Sequence, residues 1–144
     1  MNCTHHRWES VPREELGPLL ARQMISGEKA TVARIYLRNG AVVPAHRHEG
    51  EQFSYLLEGE MRFQVEPSTP EDRKEVIVKA GEVLCIASNV MHSAEALQDT
   101  VSLDIFSPRR EDWLRGDDQY LRRGQKTEVR SQEPGVADAK PSDS

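Results

Sequence analysis

Cysteine is nearly missing from this chain: Cys3 and Cys85 are the only two in 144 residues. Two cysteines make no disulfide framework, so the fold must stand on its own core, and an intracellular location is the default. Cys85 sits inside VLCIA and reads as a buried apolar filler. Long hydrophobic runs are missing too. Nothing approaches the roughly 20 apolar residues of a membrane-spanning helix. The opening MNCTHHRWESVPREEL has no apolar h-region, so it is not a signal peptide and a cytoplasmic protein is expected. There is no excess of basic charge: 19 Lys and Arg face 24 Asp and Glu, a net charge of −5. Without clustered cations, neither nucleic acid nor an anionic membrane is an expected partner. Gly124 to Ser144 has no aromatic residue and almost no large apolar one. Such a segment cannot bury enough surface to offset its ordering entropy, so residues 124–144 are expected to be a disordered tail behind one domain over 1–123.

What is present is a series of short, period-two segments. Residues 1–10 look loosely ordered, and a short helical turn is expected after Pro12, broken at Gly17-Pro18. From Thr31 the alternation is that of strands. Ala33, Ile35 and Leu37 share one face of ATVARIYL; Met61, Phe63 and Val65 share one face of EMRFQV. In DTVSLDIFS, Val101, Leu103 and Ile105 lie opposite Ser102, Asp104 and Phe106. Asn39-Gly40, Glu58-Gly59 and Gly81 punctuate the strands. After them, Ser107 is a plausible N-cap with Pro108 at the first position of a short helix. Many short strands joined by Gly, Pro and polar turns indicate an all-β sandwich or barrel. Trp8 and Trp113 read as anchors, in packing or at a dimer interface.

Three of the five histidines flank these strands. His46 and His48 share parity in HRHEGEQ, Gln52 follows on the same parity, and His92 lies in NVMHS. Arg47 and Glu51 have the opposite parity and should face outward. The residues alone leave two readings open. The histidines could decorate polar turns, or they could converge on a transition metal, for which neutral imidazoles are well suited. CTHH at positions 3–6 could also bind a metal but belongs to the loose terminus.

The spacing around these histidines resembles that of the cupin superfamily. The first cupin motif is written G-x5-H-x-H-x3,4-E-x6-G. Here Gly40, His46, His48, Gln52 and Gly59 occupy its fixed positions, with Gln52 where Glu is commonest. Of the second motif, G-x5-P-x-G-x2-H-x3-N, the chain keeps Gly81 and His92; Ala87, Asn89 and Ala96 replace the rest. The resemblance implies a double-stranded β-helix (jelly-roll) barrel over about residues 30–107, closed by a short C-terminal helix. It also implies one divalent transition metal ion (Ni, Zn, Mn or Fe) held by His46, His48, Gln52 and His92, and a homodimer. A neutral amide in place of a carboxylate leaves such an ion its full charge, which favours Lewis-acid chemistry over oxygen activation.

EALQDTVSLDIFSPRREDWL narrows the resemblance further. It is similar to the pattern LxDTVxLDxFSPxRxD[WF]L of KdgF-type cupins, which open 4,5-unsaturated monouronates to their linear keto forms. That resemblance covers about residues 30–122. It implies a small carboxylate-bearing sugar as substrate and Asp104, Phe106 and Arg110 as catalytic residues. The residues agree in part. Asp104 is costly inside a barrel unless paired or functional, and the planar Arg110 guanidinium suits a carboxylate. Against this, Asp104 could be a strand-end acceptor, Phe106 a core residue and Arg110 a partner of Glu111. The alternatives to the ring-opening enzyme are a cupin dioxygenase and a non-catalytic cupin that binds a small carboxylate.

Overall fold

The computed structural model describes residues 2–72 and 74–122. The expected tail over 124–144 lies outside the described residues. Among the described residues ten strands follow one another: β1 (Glu14–Gly17), β2 (Leu20–Ser26), β3 (Thr31–Leu37), β4 (Val42–His46), β5 (Glu51–Glu58), β6 (Glu60–Val65), β7 (Glu75–Lys79), β8 (Val83–Ile86), β9 (His92–Ala96) and β10 (Thr100–Ser107). One short helix, α1 (Glu111–Leu114), comes after them, and residues 119–122 are again helical. The strands form two antiparallel sheets, ordered β1-β2-β3-β10-β5-β8 and β4-β9-β6-β7. This is the jelly-roll barrel of two facing sheets expected above. No helix among the described residues is long and apolar enough to cross a membrane.

Alternation turns one face of each strand into the barrel. Ala33, Ile35 and Leu37 of β3, Leu56 of β5, Met61 and Phe63 of β6, and Val78 of β7 are buried together. A strand of period two can pack this way only if its register is held. Gly59, at φ +92°, turns the chain directly from β5 into β6. A side chain at this position would collide with Thr100, whose hydroxyl accepts from the Glu60 N–H.

Several local expectations are corrected by the structure. The stretch after Pro12 is not helical. It forms the β1–β2 hairpin, with Glu14 opposite Arg22 and Glu15 opposite Ala21, and β2 in turn pairs with all of β3. The barrel sheet therefore begins at Glu14, before the expected residue 30. β2 hid its period because Leu20, Ala21, Arg22 and Gln23 are all buried. The N-terminal segment covers its outer face: the Gln23 amide donates to the Trp8 and Val11 carbonyls at 2.7 and 2.9 Å. The same bonds hold Trp8–Ser10 as a 3-10 turn, so this terminus is more ordered than its composition suggested. Cys85 is exposed rather than buried, because Leu84 and Ile86 take the inner positions of β8. Ser107 does not cap a helix. It remains in β10, paired with Glu51, and α1 starts after Arg110.

The segment beyond β10 folds back against the barrel through a buried ion pair. Arg22 Nη2 donates to Asp118 Oδ2 at 2.7 Å, and Arg22 Nε donates to Glu14 at 3.0 Å. The Arg22 guanidinium also lies 4.6 Å from the Trp113 ring centroid. Arg22 and Asp118 are both buried. Removing Asp118 leaves the buried Arg22 charge with only the partly exposed Glu14 as partner in a low dielectric. Asp118→Ala should therefore cost about 3–5 kcal/mol of stability, read from the midpoint of urea denaturation. A loss below about 0.5 kcal/mol, the usual worth of a surface ion pair, would show that the segment is not held this way.

Candidate metal and ligand centre

Two strand registers assemble the site. In one sheet His46 of β4 lies directly opposite His92 of β9. In the other, Gln52 of β5 lies opposite Phe106 of β10, and Ser54 lies opposite Asp104. His48 enters from the β4–β5 connection, where its carbonyl accepts from the Asn89 N–H at 2.8 Å. The first cupin-like motif therefore spans both walls of the barrel, and the second brings His92 in beside His46 on one of them. Arg47 and Glu51 face outward, as their parity predicts.

The three imidazoles are close and identically oriented. Their ring centroids are 4.4 Å (His46–His92), 5.1 Å (His48–His92) and 5.4 Å (His46–His48) apart. Each Nδ1 lies 2.8 Å from a backbone carbonyl: Pro44 for His46, Gly50 for His48 and Val90 for His92. A carbonyl only accepts, so each Nδ1 carries the proton and each Nε2 is left as a lone pair. One potential ligand atom from each of the three lies within 4.8 Å of the others. Burial, and next the neighbouring His92, lowers the pKa of His46 to about 3. Burial, and next Arg110, lowers that of His48 to about 4. Burial also lowers that of His92. The rings are thus neutral bases at physiological pH, the form that ligates metals.

Two observations test whether a cation suits this set. His92 Nε2 is buried with no hydrogen-bond partner. The second concerns Gln52, whose Oε1 faces His48 Nε2 at 3.0 Å. The Gln52 amide N–H donates to Ser54 Oγ at 2.8 Å, and Ser54 in turn hydrogen-bonds the Asp104 carboxylate. That chain fixes the amide orientation, so an oxygen lone pair and a nitrogen lone pair point at each other. Two acceptors in contact repel unless positive charge lies between them. At 3.0 Å the two atoms are close enough for a single cation to bind both. The donor set therefore fits a divalent metal, with three imidazole nitrogens and one neutral amide oxygen.

The cluster opens on a cavity of about 60 Å³, room for a few water-sized groups. His46, Gln52, His92, Asp104 and Arg110 line its polar part, while Leu16, Leu37, Met61 and Phe63 line the rest. Asp104 faces this space, since β10 turns Ser102 and Phe106 inward and leaves Ile105 exposed. Burial pushes the Asp104 carboxyl up to about 6, against the opposing hydrogen bonds from Ser102 and Ser54 and the charge of Arg110. Phe106 is fully buried and meets His48 edge-on at 5.5 Å and Trp113 at 5.2 Å.

Arg110 differs from the simple expectation of a free carboxylate clamp. Its Nε and Nη2 already hold Asp112 at 2.9 and 2.7 Å, and Nη2 also donates to the Tyr120 hydroxyl at 2.8 Å. Its guanidinium lies over the Phe106 and Trp113 rings at 4.7 and 4.2 Å. Only Nη1 forms no hydrogen bond among the described residues. Asp112, not Glu111, is the Arg110 partner; Glu111 pairs with Arg109. Sequence reasoning missed Tyr120, Ser54 and Ser102 as lining residues. The parity of β5 and β10 would have found the serines. Nothing local marks Tyr120, which arrives through the Arg22–Asp118 contact.

A two-sheet barrel with His46 and His92 on neighbouring strands of one sheet, and His48 entering from the connection beside them, defines a class of β-barrel with a candidate metal site. The chain belongs to the cupin family: the cupin domain model matches residues 33–106, more than half of its length. Among curated proteins it is 28% identical over 109 residues to the pectin degradation protein KdgF of Dickeya dadantii, covering 74% of this chain and 94% of that one. It is 33% identical over 87 residues to an oxalate-binding protein of Thermotoga maritima, covering 60% and 67%. Among solved structures, an RmlC-like cupin from Shewanella frigidimarina superposes with a TM-score of 0.67 at 28% identity, over 78% of this chain and 99% of that one. KdgF from Halomonas sp. superposes with a TM-score of 0.68 over the same shares, and at 23% identity it speaks for the fold alone.

The Asp104 environment makes a prediction for metal-free protein. Its folded pKa of about 6 stands above the ordinary 3.8. Between these values the folded protein keeps a proton that the unfolded chain releases. The contribution to stability is full below about pH 4 and is lost as pH rises through 6. Asp104→Asn should remove that loss, leaving the variant about 2–3 kcal/mol better off relative to wild type at pH 8 than at pH 4. Denaturation curves after chelation, taken at both pH values, measure it; parallel profiles for the two proteins would contradict the assignment.

Proposed function

We propose that this cupin is a metal-dependent enzyme that opens the ring of a 4,5-unsaturated monouronate and delivers the linear keto acid. The observation that carries the reading is the meeting, on one cavity, of a proton-transfer carboxyl with the three-histidine cluster. Similarity to a pectin degradation protein over nearly that protein's whole length supports the substrate class. His46, His48, Gln52 and His92 would hold the ion, and when bound it would supply positive charge opposite the substrate carboxylate and the oxyanion that develops at C5. Asp104 takes the proton of the anomeric hydroxyl. The C1–O5 bond breaks, C1 becomes an aldehyde, and the electron pair passes to the C5 enolate. Asp104 then returns the same proton to C4, and the C5 oxygen becomes a ketone. Nothing is gained or lost, so the reaction is an isomerisation. A carboxyl near 6 suits both halves of this exchange at neutral pH. Arg110 offers its Nη1 to the substrate carboxylate while Asp112 fixes the other edge of the fork. Phe106 walls the pocket beside His48 and keeps water from it.

A binding-only reading has two observations in its favour. Arg110 is largely occupied by Asp112 and Tyr120, and much of the cavity wall is apolar, as in a site that holds a small acid without turning it over. The test of the two readings is direct. Metal-loaded protein is mixed with an unsaturated monouronate and followed by NMR, with appearance of the linear ketone at unchanged mass as the expected result. Ring opening at the uncatalysed rate would leave only the binding reading. Asp104→Ala should lower turnover by about 10²–10⁴ with the metal retained.

For the metal itself, about one divalent ion per chain is expected, lost in the His46→Ala, His48→Ala double variant. Gln52→Glu should keep the ion but slow catalysis, because an anionic ligand reduces its Lewis acidity. Unchanged metal content in the double variant would remove the site.

We also propose a homodimer. Phe53, Tyr55, Val83 and Ile105 share the outer face of three neighbouring strands, β10, β5 and β8, and each is at least 38% exposed. An apolar sheet face of this kind needs cover, and two copies packed face to face would supply it. Sedimentation at micromolar concentration should give twice the chain mass, and Tyr55→Lys should give the monomer.

A further inference from the structure

Tyr120 has no part in the reading above, yet its surroundings leave it one free function. It stands in the helical residues 119–122, well past the last barrel strand. Its ring lies 4.6 Å from that of His46, and it lines the same cavity as His92 and Asp104. Its hydroxyl oxygen accepts from Arg110 Nη2 at 2.8 Å and from the Trp113 indole N–H at 3.1 Å. A phenol has two lone pairs and one O–H. Both lone pairs are engaged, so the O–H must point elsewhere, and among the described residues nothing accepts it. A cationic donor on the oxygen also polarises the O–H and makes it a stronger donor.

We propose that Tyr120 presents its O–H to an oxygen atom of the carboxylate or 2-oxo acid bound at the three-histidine cluster, with Arg110 and Trp113 as positioning residues that hold the phenol. The inference rests on the proposed function for the presence of a metal and a carboxylate ligand, but not on turnover. It assigns Arg110 a second task. Tied to Asp112, Arg110 acts on the ligand through Tyr120 as well as through Nη1. It also explains why the segment carrying Tyr120 is fastened to the barrel by the buried Arg22–Asp118 pair: a donor has to be held against its acceptor.

The test measures binding, using the full chain loaded with zinc and two probes in isothermal titration calorimetry. Pyruvate is a small 2-oxo acid that can accept the Tyr120 O–H. Imidazole is a neutral metal ligand with no oxygen to accept it. Tyr120→Phe keeps the ring against His46 and removes only the hydroxyl. It should weaken pyruvate about tenfold, leave imidazole within about twofold, and retain the zinc. Trp113→Phe, which removes one of the two holding donors, should weaken pyruvate about threefold with imidazole again unchanged. Pyruvate binding equal in wild type and Tyr120→Phe would overturn the inference. So would a parallel loss of imidazole binding, which would mark a packing role, or a wild-type protein that takes up no zinc or no pyruvate. Wild type that binds pyruvate through Tyr120 but leaves the uronate unopened would instead sink the enzyme assignment and leave this inference standing.

Discussion

Three imidazole lone pairs converging at one end of a cavity cannot be left facing one another, and much of the structure around them follows from that constraint. Each ring is turned by its own backbone: the Nδ1 protons of His46, His48 and His92 go to carbonyls two residues away. This local device fixes the tautomer without calling on distant side chains. It also commits the three Nε2 atoms to the interior, where His92 Nε2 finds no protein partner. Gln52 adds a fourth lone pair instead of a donor, because its amide N–H is held by Ser54. A protein stabilised for its own sake would put a donor there. The arrangement makes sense as a cradle for a cation, at a cost in the empty state that the bound ion would offset.

The same hydrogen-bond chain joins the metal cradle to the carboxyl. Gln52 donates to Ser54, Ser54 bonds Asp104, and Ser102 bonds Asp104 from its own strand at 2.6 Å. Cross-strand pairing of β5 with β10 sets this order, so a one-residue slip would carry Gln52 and Ser54 together away from Asp104. The serines and Arg110 oppose the effect of burial on Asp104, and burial prevails. A carboxyl held near neutrality beside a cation site is a poor structural element and a good proton carrier. Its position on a central strand, between β3 and β5, also makes it rigid.

Legibility divided along the range of the interactions. The histidine parity, the Gln52 position and the inward turn of Asp104 and Phe106 were readable, because period two survives wherever one strand face meets the barrel. The inversion in β10 was readable for the same reason, even though it sends Val101, Leu103 and Ile105 outward and a Ser, an Asp and a Phe inward. The β1–β2 hairpin was not. The first four residues of β2 are buried on both faces, which erases the alternation that marks a strand. Cys85 failed in a different way: a four-residue strand in an apolar context has too few positions to show which parity is inner. Arg110 was placed correctly and read too simply. Its partner Asp112 lies two residues on, and its partner Tyr120 depends on a fold-back that no local pattern encodes.

That fold-back decides what kind of pocket the barrel has. Strands alone would give the cluster an apolar floor of Leu, Met and Phe side chains. The segment after β10 adds Arg110, Trp113 and Tyr120 to the wall, and these three are coupled: Arg110 lies over the Trp113 ring, and both donate to the Tyr120 oxygen. Trp113 also meets Arg22, whose ion pair with Asp118 fixes the segment two residues before Tyr120. A cation on one side of an indole and a buried ion pair behind it leave little freedom for the phenol. The barrel strands and the β4–β5 connection thus supply the imidazoles, Gln52 and the Asp104 carboxyl, while the segment outside the barrel supplies Arg110, Trp113 and Tyr120. The two parts answer to different constraints. The first is set by strand register and tolerates no slip. The second is set mainly by side-chain contacts, so in the proposed reading substitutions there alter which acid is held without disturbing the histidine cluster.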